Sequence, residues 1–303
     1  MSEVFEDDTA ATPVTTARVS ALFVHPLKSA SAISVNALEL DARGATGDRR
    51  WMLVDGNGQF ITAREQHRLV LIKPSFADSD RNGALTLETA SLSRYTVRVP
   101  HSASVRTVRI FQDDVAAQDA GDQAAEWCSE AMGSFCRLVY LAASSTRPLQ
   151  RKYAGPLAYE NRTVAFCDGA PLLLLGSASI DALNARLVEQ GGDAVTVARF
   201  RPNVLLDHTT AHEEDLWSDV SIGDVRVGVG SRCLRCVVTT VDPITAEGGV
   251  EPLRTLASYR RDANGVVFGM NATHAAPGVT PSVIRIGDRV RVHALRAATD
   301  AVG

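Results

Sequence analysis

The chain has 303 residues, 45% of them hydrophobic and 22% charged, with a formal net charge of −4. That length suits two ordinary domains or one large one, and the interspersed charges offer no basic stripe of the kind nucleic acid needs. No apolar run approaches eighteen residues, so no membrane span is expected; five scattered cysteines make no disulfide framework and point to a reducing, cytoplasmic compartment.

Residues 1–17 hold Glu3, Glu6, Asp7 and Asp8 and no apolar core, so they read as a disordered leader rather than a signal peptide. A first strand over 18–28 is broken at His25-Pro26, where proline ends ladder pairing. Strand-like residues 34–40 follow, and Gly56-Asn57-Gly58 predicts a hairpin turn between 51–55 and 59–62. Short strands at 84–88, 95–99 and 107–110 keep the β rhythm. One helix then interrupts. Asp119 and Asp122 enrich its first turn, Ala124, Trp127, Cys128 and Ala131 share a face, and Gly133 ends it. Residues 135–141 are again strand-like.

Residues 142–160, with Arg147-Pro148 and Gly155-Pro156, form a kinked polar segment suited to a boundary. Beyond it lies a strand at 171–175, then a helix with Ile180, Leu183 and Leu187 on one face, stopped by Gly191-Gly192. Strands are expected at 200–206, 225–229, 236–241 and 282–292, and a short helix starts at Pro252. Many short strands with few helices indicate a mainly β chain with some α (α+β), barrel-like rather than a parallel α/β sheet. No G-x-G-x-x-G or Walker loop supports a nucleotide fold.

The run Cys233-Leu234-Arg235-Cys236 opens the strand expected at 236–241, which stops at an Asp242-Pro243 turn. Zinc needs two further ligands at matching spacing. A thioredoxin-like pair opens a helix rather than a strand. A single thiolate ligating a soft metal and two inert buried thiols are the other readings. Cations recur at strand ends: Lys28-Ser29, Asp48-Arg49-Arg50-Trp51, Thr62-Ala63-Arg64 and Arg199-Phe200-Arg201-Pro202-Asn203. Each alone suits a solvated surface, but together they suit a phosphate or another polyanionic small ligand. Asp168, in Asp168-Gly169-Ala170-Pro171, reads as an Asx-type cap. His25, His67, His208, His212 and His274 show no ligand spacing.

Taken in order, several blocks resemble the MOSC family, proteins with a molybdenum cofactor sulfurase C-terminal domain. The resemblance is to its two-part members, such as the amidoxime-reducing components. It rests on His25-Pro26-Leu27-Lys28-Ser29, Gly47-Asp48-Arg49-Arg50-Trp51-Met52, Thr62-Ala63-Arg64, Arg199-Phe200-Arg201-Pro202-Asn203, Glu214-Asp215-Leu216-Trp217 and Ile222-Gly223-Asp224. The Cys-x-x-Cys run with its sequels, Glu251-Pro252-Leu253-Arg254-Thr255-Leu256 and Phe268-Gly269-Met270-Asn271, is the strongest part. The resemblance implies a smaller β-rich N-terminal MOSC domain over 18–145, a MOSC-type β-barrel domain over 155–293 and a tail over 294–303.

It further implies a molybdenum cofactor (molybdopterin), with Cys236 as the protein's ligand to the metal. Lys28, Ser29, Arg64, Arg201 and Asn203 would bind the cofactor, and Asp168 would lie close to the metal, positioning substrate or relaying a proton. The implied activity is reduction of N-hydroxylated compounds (hydroxylamines, amidoximes, N-hydroxy bases). The alternative is a non-catalytic carrier of the cofactor or of its sulfurated form. The chain departs from the family at Leu234, where the reducers tend to have a small polar residue. It carries no four-cysteine ferredoxin-like domain, so electrons are expected from a separate protein, a flavin reductase or a ferredoxin type. It also lacks the pyridoxal-phosphate domain of the large sulfurases, so sulfur mobilisation is not inherited from them.

Overall fold

Val19, Leu22 and Val24 are buried along the strand Arg18–Val24, which His25-Pro26 ends as expected. The computed structural model describes residues 15–77, 81, 83–101, 103–158, 160–276, 278 and 283–297. The expected leader before Thr15 and the end of the tail lie outside them. Arg18–Val24 pairs antiparallel with Ile33–Val35 on one side and with Val204–Asp207 on the other.

It thereby enters a large sheet ordered Val290–Leu295, Trp217–Ile222, Val225–Leu234, Gly265–His274, Leu172–Gly176, Val204–Asp207, Arg18–Val24, Ile33–Val35, with Arg261–Asp262 appended to Gly265–His274. Within it Leu172–Gly176 and Val204–Asp207 run parallel, a geometry that needs a crossover. Helix α2, Ser177–Glu189, supplies that crossover, burying Ile180, Leu183 and Leu187, and Gly191 follows it at φ 76°. Leu22, Leu174, Leu206, Val220, Val227 and Met270 form the heart of this sheet's core.

Trp51–Val54, Arg137–Leu141, Asp113–Asp119 and Val105–Ile110 make a second, four-stranded antiparallel sheet. Helix α1, Asp122–Met132, is closed by Gly133 in the left-handed conformation at φ 69°. A three-stranded sheet, Lys73–Phe76, Ala84–Glu88 and Tyr95–Arg98, and a smaller one, Val283–Arg285, Ala37–Asp41 and Gly44–Ala45, complete the β structure. With helix α3, Leu253–Tyr259, the described residues hold three α-helices. None of them is long and apolar enough to cross a membrane.

Several expected elements differ. Residues 59–62 do not form a full strand: Val54 bridges Phe60, and Ile61 N–H donates to the Leu53 carbonyl at 2.8 Å. The strand expected from Phe200 begins only at Val204, because a 3-10 turn over Val197–Arg199 precedes it. Residues 283–295 split into two short strands at a turn with Gly287 at φ 89°, and Ser282 lies outside the described residues. The run after Cys236 is not a strand at all. Val237–Thr240 is a 3-10 turn, since the Thr239 and Thr240 hydroxyls bond back to the carbonyls of Cys236 and Val237 at 3.0 and 2.8 Å.

The segment before Asp168 crosses the large sheet where glycine leaves room. A Cβ on Gly155 would lie 2.5 Å from the Gly228 carbonyl oxygen, and one on Gly230 would meet the Tyr153 carbonyl. This seats Tyr153 against Gly169, beside Asp168.

His274, 3% exposed at the end of its strand, ties this sheet to Ala37–Asp41. Its Nε2–H donates to the Asp41 carbonyl at 2.9 Å, leaving Nδ1 to accept from Arg162 Nη2 at 2.7 Å. Burial first, and then the Arg162 charge, push its pKa down to about 4. The unfolded imidazole titrates near its ordinary value of 6.5, so between these pH values the unfolded chain binds the extra proton. Stability held above pH 6.5 is therefore expected to drain as pH falls toward 4, by up to about 3 kcal/mol from this residue. Urea unfolding of wild type and His274→Gln across that range checks it. Parallel pH profiles for the two proteins count against the assignment.

Candidate functional site

The turn after Arg18–Val24 carries Lys28 and Ser29 into a cavity of about 510 Å³. Lys28 N–H donates to the Trp51 carbonyl at 2.9 Å, fixing the turn, and Ser29 adopts a left-handed φ of 68°. The Lys28 ammonium is buried: it donates to the Phe166 carbonyl at 2.9 Å, pairs with Asp168, and lies 5.4 Å from the Phe111 ring centroid. Burial lowers its pKa, with Asp168 opposing.

Arg64 stands on the turn closed by Gln66 N–H to the Thr62 carbonyl at 3.0 Å. Its Nη2 donates to Asp168 Oδ2 at 2.9 Å and its Nε to Cys236 Sγ at 3.4 Å. One guanidinium thus bridges the carboxylate and the thiol. Among the described residues Asp168 does not act as the expected backbone cap; its carboxylate is held by two cations. Partial withdrawal from water opposes ionisation, but Lys28 and Arg64 hold its pKa well below the usual carboxylate range. The side chain remains 57% accessible, open to the cavity that it lines.

Asp48 braces Arg49 and Asn203, which line the cavity. Its Oδ1 accepts from His25 N–H at 2.7 Å and Asn203 Nδ2 at 3.1 Å, and its Oδ2 pairs with Arg49 Nη1 at 2.5 Å. Asn203 also donates to the Phe23 carbonyl at 3.1 Å, and accepts from Leu173 N–H at 3.2 Å and Arg49 Nη1 at 3.3 Å. Two donors and two lone pairs are all an amide has, so Asn203 serves the frame of the cavity rather than its interior.

Arg201 differs. At φ 57° it reaches the Ala30 carbonyl through Nη1 at 2.5 Å, while its buried Nη2 has no partner among the described residues. Burial, then the neighbouring Arg49, push its pKa down to about 9. Lys28, Arg49, Arg64 and Arg201 outnumber the carboxylates Asp48 and Asp168 here, an imbalance that an anionic ligand relieves. Ser29, Arg49 and Arg201 all have positive φ, and such strain persists where surrounding contacts over-determine it.

The thiols are unequal. Cys233 sits on Val225–Leu234, and burial raises its pKa, with Arg235 opposing. Arg235 anchors the corner, its N–H donating to the Val266 carbonyl at 2.7 Å and its Nε to the Phe268 carbonyl at 2.8 Å. Cys236 heads the 3-10 turn, which Arg199 pins by reaching Asp242 Oδ2 at 2.9 Å. Asp242 makes the expected turn, accepting from the N–H groups of Ile244 and Thr245 at 2.8 and 3.0 Å. Among the described residues no three of His, Cys, Asp and Glu gather into a metal-ligating group.

Lys28, Ser29, Arg64, Asp168, Arg201 and Cys236 thus converge on one cavity, with Asn203 in its wall. Arg49 belongs with them, and its place in the Asp48-Arg49-Arg50 cluster was its signal. Phe111 and Tyr153 also line the cavity; neither lies in a motif, and no sequence pattern marks them.

Residues 16–134 match the MOSC N-terminal beta barrel domain, and residues 161–291 match the MOSC domain. The chain is 33% identical over 292 residues to mitochondrial amidoxime-reducing component 1 of Xenopus laevis, covering 90% of this chain and 81% of that protein. It is 31% identical over 284 residues to the Homo sapiens protein of that name, covering 90% and 82%. To mitochondrial amidoxime reducing component 2 of Rattus norvegicus it is 34% identical over 254 residues, covering 80% and 72%.

Proposed function

The chain belongs to the MOSC family, and from that premise we propose that it is a molybdenum-cofactor-dependent reductase of N-hydroxylated compounds, supplied with electrons by a separate protein. The observation that carries this reading is the Cys236 thiol facing a cation-rich cavity, 3.4 Å from the guanidinium that also holds Asp168.

The residues present fit the cofactor. A cofactor bringing its own sulfur donors needs one soft ligand from the protein, and Cys236 is such a ligand. Its phosphate and polar pterin edge suit Lys28, Arg49, Arg64 and Arg201, and Arg201 Nη2, without a partner among the described residues, is a donor in want of an acceptor. When bound, the cofactor supplies the two-electron centre at which an N–O bond is reduced. The protein's own part is to bind and orient. Arg64 fixes the direction of the Cys236 sulfur by its hydrogen bond. Asp168, ionised between Lys28 and Arg64, offers acceptor oxygens to the amino group of a bound amidoxime and aligns it. This favours the positioning role over the proton relay.

A cytoplasmic setting is part of the proposal. The names of the relatives place those proteins in mitochondria.

The test is elemental analysis for molybdenum with pterin fluorescence on protein from a cofactor-competent host, followed by turnover of an amidoxime with reduced viologen. Stoichiometric metal with turnover is expected. Metal-free protein sinks the reading; freely exchanging cofactor without turnover points to a carrier.

A further inference from the structure

Phe111 and Gln112 are the loop residues of the hairpin joining Val105–Ile110 to Asp113–Asp119, in which Ile110 pairs with Asp113. Phe111 holds φ 54°, the left-handed region, where a bulky aromatic residue is an outlier. The first loop position of such a hairpin ordinarily favours glycine or asparagine. The strain has a visible result, since the ring lines the same cavity as Cys236 and Asp168.

The Arg64 guanidinium lies 5.5 Å from the ring centroid, and the Lys28 ammonium 5.4 Å. Phe60 packs against it at 4.8 Å between centroids, tilted by 55°. Two cations and a second ring hold Phe111 in place, yet it remains 36% exposed. The Arg64 side chain spans the two, with Nε 3.4 Å from the Cys236 sulfur and the guanidinium 5.5 Å from the ring centroid. Lys28 and Arg64 are also the two cations that hold Asp168, so the ring and that carboxylate share their partners.

Resting on the N-hydroxy reductase reading, we infer that Phe111 is a specificity-determining residue: its open ring surface takes the flat aromatic group of an N-hydroxyamidine. The preferred substrates are those whose N–O-bearing carbon is attached directly to a ring. Lys28 and Arg64 engage the ring's π density, and offset or edge-to-face contact with a substrate ring uses what is left.

N-hydroxybenzamidine and N-hydroxyacetamidine differ only in the ring and serve as the probes. For wild type, Phe111→Leu and Phe111→Trp, two quantities are measured on the protein as purified: the kcat/KM ratio with reduced viologen, and the ratio of calorimetric Kd values without reductant. Both ratios are expected to favour the aromatic probe in wild type, to fall about tenfold in Phe111→Leu and to recover in Phe111→Trp. Phe111→Gly, the residue type the loop favours, replaces the leucine variant if that fails to fold. Ratios that do not move, or equal weakening of both probes, overturn the inference; equal weakening is what a ring acting only through Arg64 produces. Ring-selective binding that Phe111→Leu abolishes, without turnover by wild type, sinks the reductase reading and keeps the Phe111 assignment. Turnover without ring preference does the reverse.

Discussion

Cys236→Ser is expected to leave the purified protein with less than about a tenth of the wild-type molybdenum, since losing a direct ligand exceeds the 10–100-fold effect of losing an outer-shell partner. A hydroxyl is a harder and far less acidic donor than a thiol, so it replaces a thiolate poorly on a soft metal site. No second cluster of protein ligands is at hand to compensate among the described residues. The fold should scarcely notice the change. Cys236 is half-buried at the cavity, and among the described residues its sulfur receives one hydrogen bond, from Arg64, so unfolding free energy is expected to stay within about 0.5 kcal/mol. Elemental analysis paired with a denaturation curve reads both quantities. Unchanged metal content makes the thiol an inert one, and the proposed site is then wrong.

Asp48→Ala is the largest stability change expected here. The carboxylate is 4% exposed and serves the His25 N–H, the Asn203 amide and the Arg49 guanidinium together. Removing it leaves a part-buried guanidinium and two buried donors facing an alanine methyl, and stranding one partner of a buried ion pair costs about 3–5 kcal/mol, the upper limit here. Asp48→Asn keeps an acceptor for the His25 N–H while losing the charge, so its loss should be smaller. Urea unfolding of both variants orders them. A loss below about 1 kcal/mol for the alanine variant removes Asp48 from the frame of the site.

The readable parts of this fold were those whose signals were local and agreed with one another. Arg18–Val24 is a mostly apolar run stopped at His25-Pro26, and α1 joins an apolar face to a closing glycine. Asp113–Asp119 carries acids, alanines and a glutamine, so its place between two partner strands is decided by neighbours distant in sequence. Lys73–Phe76 hides behind Pro74, which the edge of a sheet tolerates. The Val-Val-Thr-Thr run misled because β-branched residues favour strands, while threonine hydroxyls can instead close a tight turn.

At the site, cations and thiol were found as members of motifs, and which of them meet was legible only through the family likeness. Arg64 and Cys236 are 172 residues apart, and no spacing rule spans that interval. The saturation of Asn203 and the left-handed Phe111 are properties of three-dimensional context. No alphabet of residue types encodes them.

The pairing of Arg18–Val24 with Val204–Asp207 also sets a timetable. On a ribosome, the segment bearing Lys28 and Ser29 emerges long before the partner strand that holds it, and Cys236 emerges later still. Closing so long a loop is entropically slow. The anion-receiving pocket therefore exists only once both distant segments have emerged and paired, and any prosthetic group must join a chain in which Lys28 and Cys236 have already met.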